Sequence, residues 1–269
     1  MRRRIATVGL LMGAMGAVVL AVVGAVVAQV ARWQAEALPT VYTFVSEFQV
    51  PRASWAQYAE DTEKNFVPIA EKLMADGSIL GYETFESVVH TPDGYTHGAA
   101  WQAHSMAGLL KVLDEVRKNG PQNGQLAATK HQDLLLQSSL YAGAQAGKTS
   151  SGYLRVLCQM TPADNPDAYG AALKKIFWPT FEEQLRIGAV DSIRVDQQYI
   201  NNGPQSLRCL AITYRNAEGL DSWTRNVGAV LEKLSPSERA TFFATTVPDT
   251  RRDFLARLTH YHHQSSGHG

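Results

Sequence analysis

Two cysteines, Cys158 and Cys209, among 269 residues exclude a disulfide-stapled scaffold. Net charge is missing as well, since 25 basic residues balance 25 acidic ones. Set aside Arg2, Arg3 and Arg4, and the rest carries 22 basic against 25 acidic side chains. Phosphate backbones need a basic footprint, so nucleic acid is not an expected partner. The sequence has no glycine-rich phosphate loop, no G-x-S-x-G elbow, no H-E-x-x-H and no C-x-x-C. No motif names a reaction, and no cofactor is expected.

The first thirty residues are the least ordinary part of what is present. Ile5 to Ala28 carries no charge, and no acid occurs before Glu36. As a helix, these 24 residues exceed the ~30 Å hydrocarbon core of a bilayer. The preceding arginines favour a cytoplasmic N-terminus and an exported body. Gly9, Gly13, Ala17, Ala21 and Ala25 recur every four residues as a stripe of small side chains, the kind of face on which membrane helices pack. Arg32 and Trp33 suit the interface at the exit. The segment reads as a single-pass anchor in the lipid bilayer, contacting other membrane-protein subunits. A cleaved secretory signal, with Val26 and Ala28 before the cut and the body released as a periplasmic or secreted protein, stays open.

The body is written twice. At a constant offset, Tyr58 meets Tyr169, Phe66 meets Phe177, Pro68 meets Pro179, Gly77 meets Gly188 and Gly108 meets Gly219. Glycine and proline punctuate backbone geometry, so shared punctuation implies shared supersecondary structure. Each copy reads as strand, helix, strand, strand, helix, strand. The last strands align at a slightly larger offset, Asp133 with Asp253 and Tyr141 with Tyr261. "KTSSG" reads as the most flexible join between the copies, and the C-terminal end as a solvated, frayed tail.

That order is the ferredoxin-like one, and two such units in tandem resemble the dimeric α+β barrel superfamily. The resemblance implies an α+β fold. Tandem duplicated units would form a pseudo-dimeric barrel of two facing four-stranded sheets, with helices outside and an N-terminal hydrophobic helix ahead. The expected domains are residues 1–33 for the segment, 40–145 for the first repeat and 152–264 for the second. The superfamily includes cofactor-independent monooxygenases, haem-degrading enzymes and isomerases, and fold alone transfers no catalytic residue.

Polar side chains on faces expected to line the barrel interior are the candidate sites. His97 and Trp101 share a strand face, as do Tyr82, Glu86 and His90 on the preceding strand. His97, Glu86 and His90 are therefore the catalytic candidates, an imidazole near a carboxylate being an acid/base pair. Against them, the second copy puts Arg208 and Asn201 opposite His97 and His90. His260 and His262, two apart, are metal-ligand candidates with no carboxylate nearby in sequence to complete a shell, so no metal site is assigned. Cys158 and Cys209 read as two buried thiols on neighbouring strands, a disulfide being the alternative in an exported protein. The chain reads first as a membrane-anchored, non-catalytic accessory subunit. The second reading, which the resemblance implies, is an exported small-molecule enzyme of cofactor-independent monooxygenase or isomerase type using the barrel interior.

Overall fold

The β-branched and aromatic run Val41–Gln49 forms strand β1. The other strands are β2 (Gly81–Ser87), β3 (His97–Ala103), β4 (Lys130–Gly143), β5 (Gly147–Thr149), β6 (Tyr153–Met160), β7 (Val190–Gln198), β8 (Leu207–Tyr214) and β9 (Arg252–His263). Helices α1 (Trp55–Asp61) and α2 (Val67–Ala75) are continuous through a π-helical turn at Thr62–Phe66. They are followed by α3 (Met106–Lys118), α4 (Asn123–Leu126), α5 (Ala168–Arg186), α6 (Ala217–Lys233) and α7 (Pro236–Phe243). The computed structural model describes residues 40–119, 123–143, 147–200 and 206–264. The apolar segment and its stripe of Gly9, Gly13, Ala17, Ala21 and Ala25 lie outside them.

The strands are hydrogen-bonded in the order β2-β3-β1-β4-β7-β8-β6-β9, and β9 returns to pair with β2. This corrects the expected tandem ferredoxin-like pseudo-dimer of two facing sheets. The eight long strands form one closed antiparallel barrel. Strand length is the physical reason. Val41–Gln49 pairs with the first part of β4, while Leu136 to Gly143 runs on to pair with β7. Strand β9 likewise pairs with β6 through its first half and with β2 through its second. Each of these strands belongs to both halves, so the barrel keeps no long open edge.

Two local expectations also change. His260, His262 and His263 are not in a frayed tail, because β9 closes the barrel through His263. Part of the "KTSSG" join is strand β5, paired with β9 at Gly147–Thr149.

Repeated glycines have repeated jobs. Gly77 and Gly188 follow α2 and α5 with φ of 73° and 70°. There they close matching caps, Ser78 N–H to Leu73 O and Ala189 N–H to Gln184 O. Gly108 and Gly219 lie where a Cβ would come within 2.1 Å of the Ser78 carbonyl oxygen and 2.2 Å of that of Ala189. The second helix of each half can therefore reach the preceding turn only through glycine.

Helices cover the outer face, where Phe44, Tyr82 and Trp101 pack on α2 and α3, and Ile193, Ile212 and Tyr214 on α5 and α6. The lumen is filled by Phe85, Leu154, Ala211, Ala256, Leu258 and Tyr261, as suits eight strands. A polar cluster occupies the lumen as well. Arg194 of β7 donates to Glu83 of β2 across the barrel at 2.8 Å and to Asp196 at 2.9 Å. Tyr141 of β4 meets His263 Nε2 of β9 at 2.6 Å.

Cys158 and Cys209 face each other across β6 and β8 and form a disulfide, correcting the reading of two thiols. They are 51 residues apart, so the link removes a sizeable loop from the unfolded ensemble. Cys158→Ser is expected to lower the unfolding free energy by about 2–4 kcal/mol. Reductant should lower the urea midpoint of the native chain but not of the variant, and equal sensitivity of both would contradict this.

Candidate functional site

Two cavities lie between helices and the outer face of the barrel, one in each half, with volumes of about 610 Å³ and about 290 Å³. The expected location, the barrel interior, is corrected, because side chains fill the lumen.

The larger, N-terminal cavity has an aromatic lining of Phe48, Tyr58, Phe66 and Trp101. Trp101 is held by its indole N–H donating to Leu109 O at 2.9 Å and by stacking on Phe44 at 4.7 Å. Phe66 and Thr62 enter from the π-helical turn. Pro68 just beyond it lacks the N–H that would reach back to Lys64, and its ring crowds that carbonyl. Pro179, its counterpart, sits inside α5 with no such turn. The widened turn, a feature frequent at functional sites, therefore belongs to the N-terminal cavity alone.

Ser46, His131 and Asp133 form a cluster lining the same cavity. They come together because β1 and β4 pair Ser46 with Asp133 and Phe48 with His131. Ser46 Oγ donates to Asp133 Oδ1 at 2.8 Å. His131 Nε2 lies 3.0 Å from both Ser46 Oγ and Asp133 Oδ1. Since Asp133 can only accept, Nε2–H is the donor of this pair, and Nδ1 is the nitrogen left to accept in the neutral ring. The ring lies flat on Phe48, 4.4 Å between centroids. Both polar partners use one ring nitrogen, so this is an oriented imidazole and not a Ser-His-Asp triad.

The C-terminal cavity has a different rim. The offset that aligns Asp133 with Asp253 puts Arg251 where His131 stands. Arg251 and Arg155 both bind Asp253, at 2.7 Å and 3.0 Å. A guanidinium cannot act as a base. That cavity is lined by Phe177, Phe181, Trp223 and Phe242.

Sequence reasoning missed Ser46, His131 and Asp133, although the Asp133/Asp253 alignment lay two residues from the decisive His131/Arg251 difference. The residues it chose are placed elsewhere. His97 and Glu86 are direct cross-strand partners, but His90 lies in the loop after β2, correcting its place on that strand. His97 is buried against Trp55 and Tyr58, with Nδ1 2.9 Å from Thr96 Oγ1. His260 meets Glu63 at 2.5 Å, and His262 meets Glu71 at 2.9 Å. Among the described residues no group of three or more His, Cys, Asp or Glu is placed to hold a metal ion.

Burial first, and the nearby His90 second, push the His97 imidazole down from 6.5 to about 4. Between these values the unfolded chain takes up a proton that the folded chain refuses. The stability contributed by neutral His97 is therefore complete above the ordinary value and is lost as the pH falls toward 4, by up to about 3 kcal/mol. His97→Gln is expected to flatten that acid slope in urea unfolding. An unchanged slope would assign the acid sensitivity to other groups.

By sequence the chain matches no protein-family model and no curated protein. By structure it superposes on a "putative monooxygenase" from Lactobacillus acidophilus NCFM with a TM-score of 0.56 at 13% identity, covering 84% of this chain and 97% of that one. A protein of the same description from Fusobacterium nucleatum subsp. nucleatum superposes with a TM-score of 0.59 at 11% identity, covering 86% and 97%. At these identities the likeness establishes the fold alone.

This finding corrects the reading of a non-catalytic accessory subunit. The described body shares its barrel, over nearly the whole of both neighbours, with proteins described as enzymes. Among the described residues no helix is long and apolar enough to cross a membrane.

Proposed function

We propose that the chain is an enzyme acting on a small, planar, largely apolar carbon acid in the N-terminal cavity, with His131 as the proton acceptor. One observation carries this reading. An imidazole held through Nε2 by Asp133 lines an aromatic cavity, where the second half has an ion-paired arginine. Asp133 orients the ring and stabilises the imidazolium once a proton has been taken. Phe48, Phe66 and Trp101 offer stacking surfaces to a conjugated ring.

The monooxygenase descriptions of the two fold neighbours support oxygenation as the overall reaction, with dioxygen as co-substrate. His131 removes a proton from an activated methylene, and the resulting carbanion is oxidised by dioxygen. One oxygen atom becomes the new carbonyl, and the other leaves as water with the two methylene hydrogens. The substrate loses four electrons and dioxygen gains four. Oxygen consumption with a panel of planar, enolisable aromatic ketones tests this. Turnover matched by one ketone product per dioxygen is expected. No consumption above buffer across the panel would remove the oxygenase reading.

We also propose that the barrel works in an oxidising compartment, which the Cys158–Cys209 disulfide supports. Alkylation of acid-trapped cells is expected to leave both thiols unmodified. A doubly alkylated chain would count against it.

A further inference from the structure

Strand β9 changes face part-way along. Phe254, Ala256 and Leu258 alternate into the lumen, so unbroken alternation would send His260 and His262 there too. One extra residue prevents this. The register with β2 passes from Phe85 opposite Leu258 to Thr84 opposite His260, leaving Thr259 as a bulge. Beyond it Tyr261 faces the lumen, while His260 and His262 turn outward toward the helices. Bulges re-aim side chains in this way beside functional sites.

The helices meet them with carboxylates. His260 Nε2 lies 2.5 Å from Glu63 Oε2, and its Nδ1 lies 2.9 Å from Thr84 Oγ1. Thr84 Oγ1 is in turn 2.6 Å from Thr259 Oγ1, so the bulge residue helps to fix the ring. His262 Nδ1 lies 2.9 Å from Glu71 Oε2, and Glu71 also receives Tyr82 OH at 2.6 Å and Lys148 Nζ at 2.9 Å. Glu63 belongs to the π-helical turn, the same five residues that send Thr62 and Phe66 into the N-terminal cavity.

We infer that His260 is a positioning residue for the N-terminal cavity: through Glu63 it holds the π-helical turn in the register that presents Thr62 and Phe66. His262 fastens the next turns of the helix through Glu71. The first half's site is thus completed by the last strand of the chain, which explains why the C-terminal histidines stand on a bulged strand. The inference rests on the cavity being the reaction site. Glu63 is well exposed, so this pair contributes little to global stability, and its effect falls on local geometry.

The test uses the full chain and its His260→Ala and His260→Gln variants. Three quantities are measured: the urea midpoint, amide hydrogen exchange across residues 62–66, and the dissociation constant of 8-anilinonaphthalene-1-sulfonate. Ala99→Phe, which fills the cavity, identifies the bound probe's location. For His260→Ala, faster exchange across 62–66 and about tenfold weaker probe binding are expected at an unchanged midpoint. Glutamine keeps a donor toward Glu63 and is expected to restore both. Native exchange and native affinity in His260→Ala would overturn the inference, as would a fall in midpoint large enough to account for the affinity loss. Probe binding insensitive to Ala99→Phe would count instead against the cavity reading, and the exchange result would then decide the role of His260 alone.

Discussion

Arg194→Met is expected to lower the unfolding free energy by about 3–5 kcal/mol, the scale of breaking a buried ion pair from one side. Arg194, Glu83 and Asp196 are almost completely buried in the lumen. The guanidinium spans from β7 to β2, while Ser138 donates to the far side of Asp196 at 2.7 Å. Removing the cation leaves two buried carboxylates without their counter-charge. Burial already raises the Asp196 carboxyl above its ordinary value in the native chain. The native state therefore favours the proton on it, and the stability from that group falls as the pH rises through its folded value. Loss of Arg194 should steepen this fall. Replacing all three members with apolar residues of similar volume is expected to recover most of the stability, because their desolvation cost disappears together with their attraction. Urea unfolding of the single and triple variants measures both. A single variant within 1 kcal/mol of native, or a triple variant as unstable as the single, would contradict this account.

His131→Ala is expected to lower turnover by about 10²–10⁴-fold, the usual contribution of a positioned general base. The fold should survive, because His131 and its partner Asp133 are both about half exposed. Asp133→Asn tests the role of orientation. An amide can donate to Nε2, which would move the proton to Nδ1 and leave that nitrogen unable to accept. A loss approaching that of His131→Ala is expected from steady-state rates, with urea midpoints near native for both. Full activity in either variant would exclude the proposed base.

The local architecture was legible wherever backbone geometry forces a residue type. Gly77 and Gly188 cap helices at positive φ, and Gly108 and Gly219 permit contact with a carbonyl, so their register survives in the sequence. Closure of the barrel was not legible, because it depends on how far β4 and β9 run past their first partners. Periodicity marks a strand's faces but not which neighbours it finds along its length. A single-residue bulge at Thr259 has no sequence signature of its own, yet it decides which way His260 and His262 point. The disulfide was read as two thiols for the same reason, since only the β6–β8 register sets Cys158 opposite Cys209. The candidate site was partly written in the sequence. Asp133 and Asp253 align, but the contrast between His131 and Arg251 gains meaning only once each is seen beside its own cavity.

The central claim is that the N-terminal cavity houses a base that removes a proton from carbon. The most direct measurement is anaerobic hydrogen–deuterium exchange at the activated methylene of an enolisable aromatic ketone, with dioxygen excluded so that only the first step proceeds. Native chain is expected to catalyse exchange well above buffer, and His131→Ala or the cavity-filling Ala99→Phe is expected to abolish it. Exchange no faster than buffer across such ketones, or exchange that persists in both variants, would contradict the account.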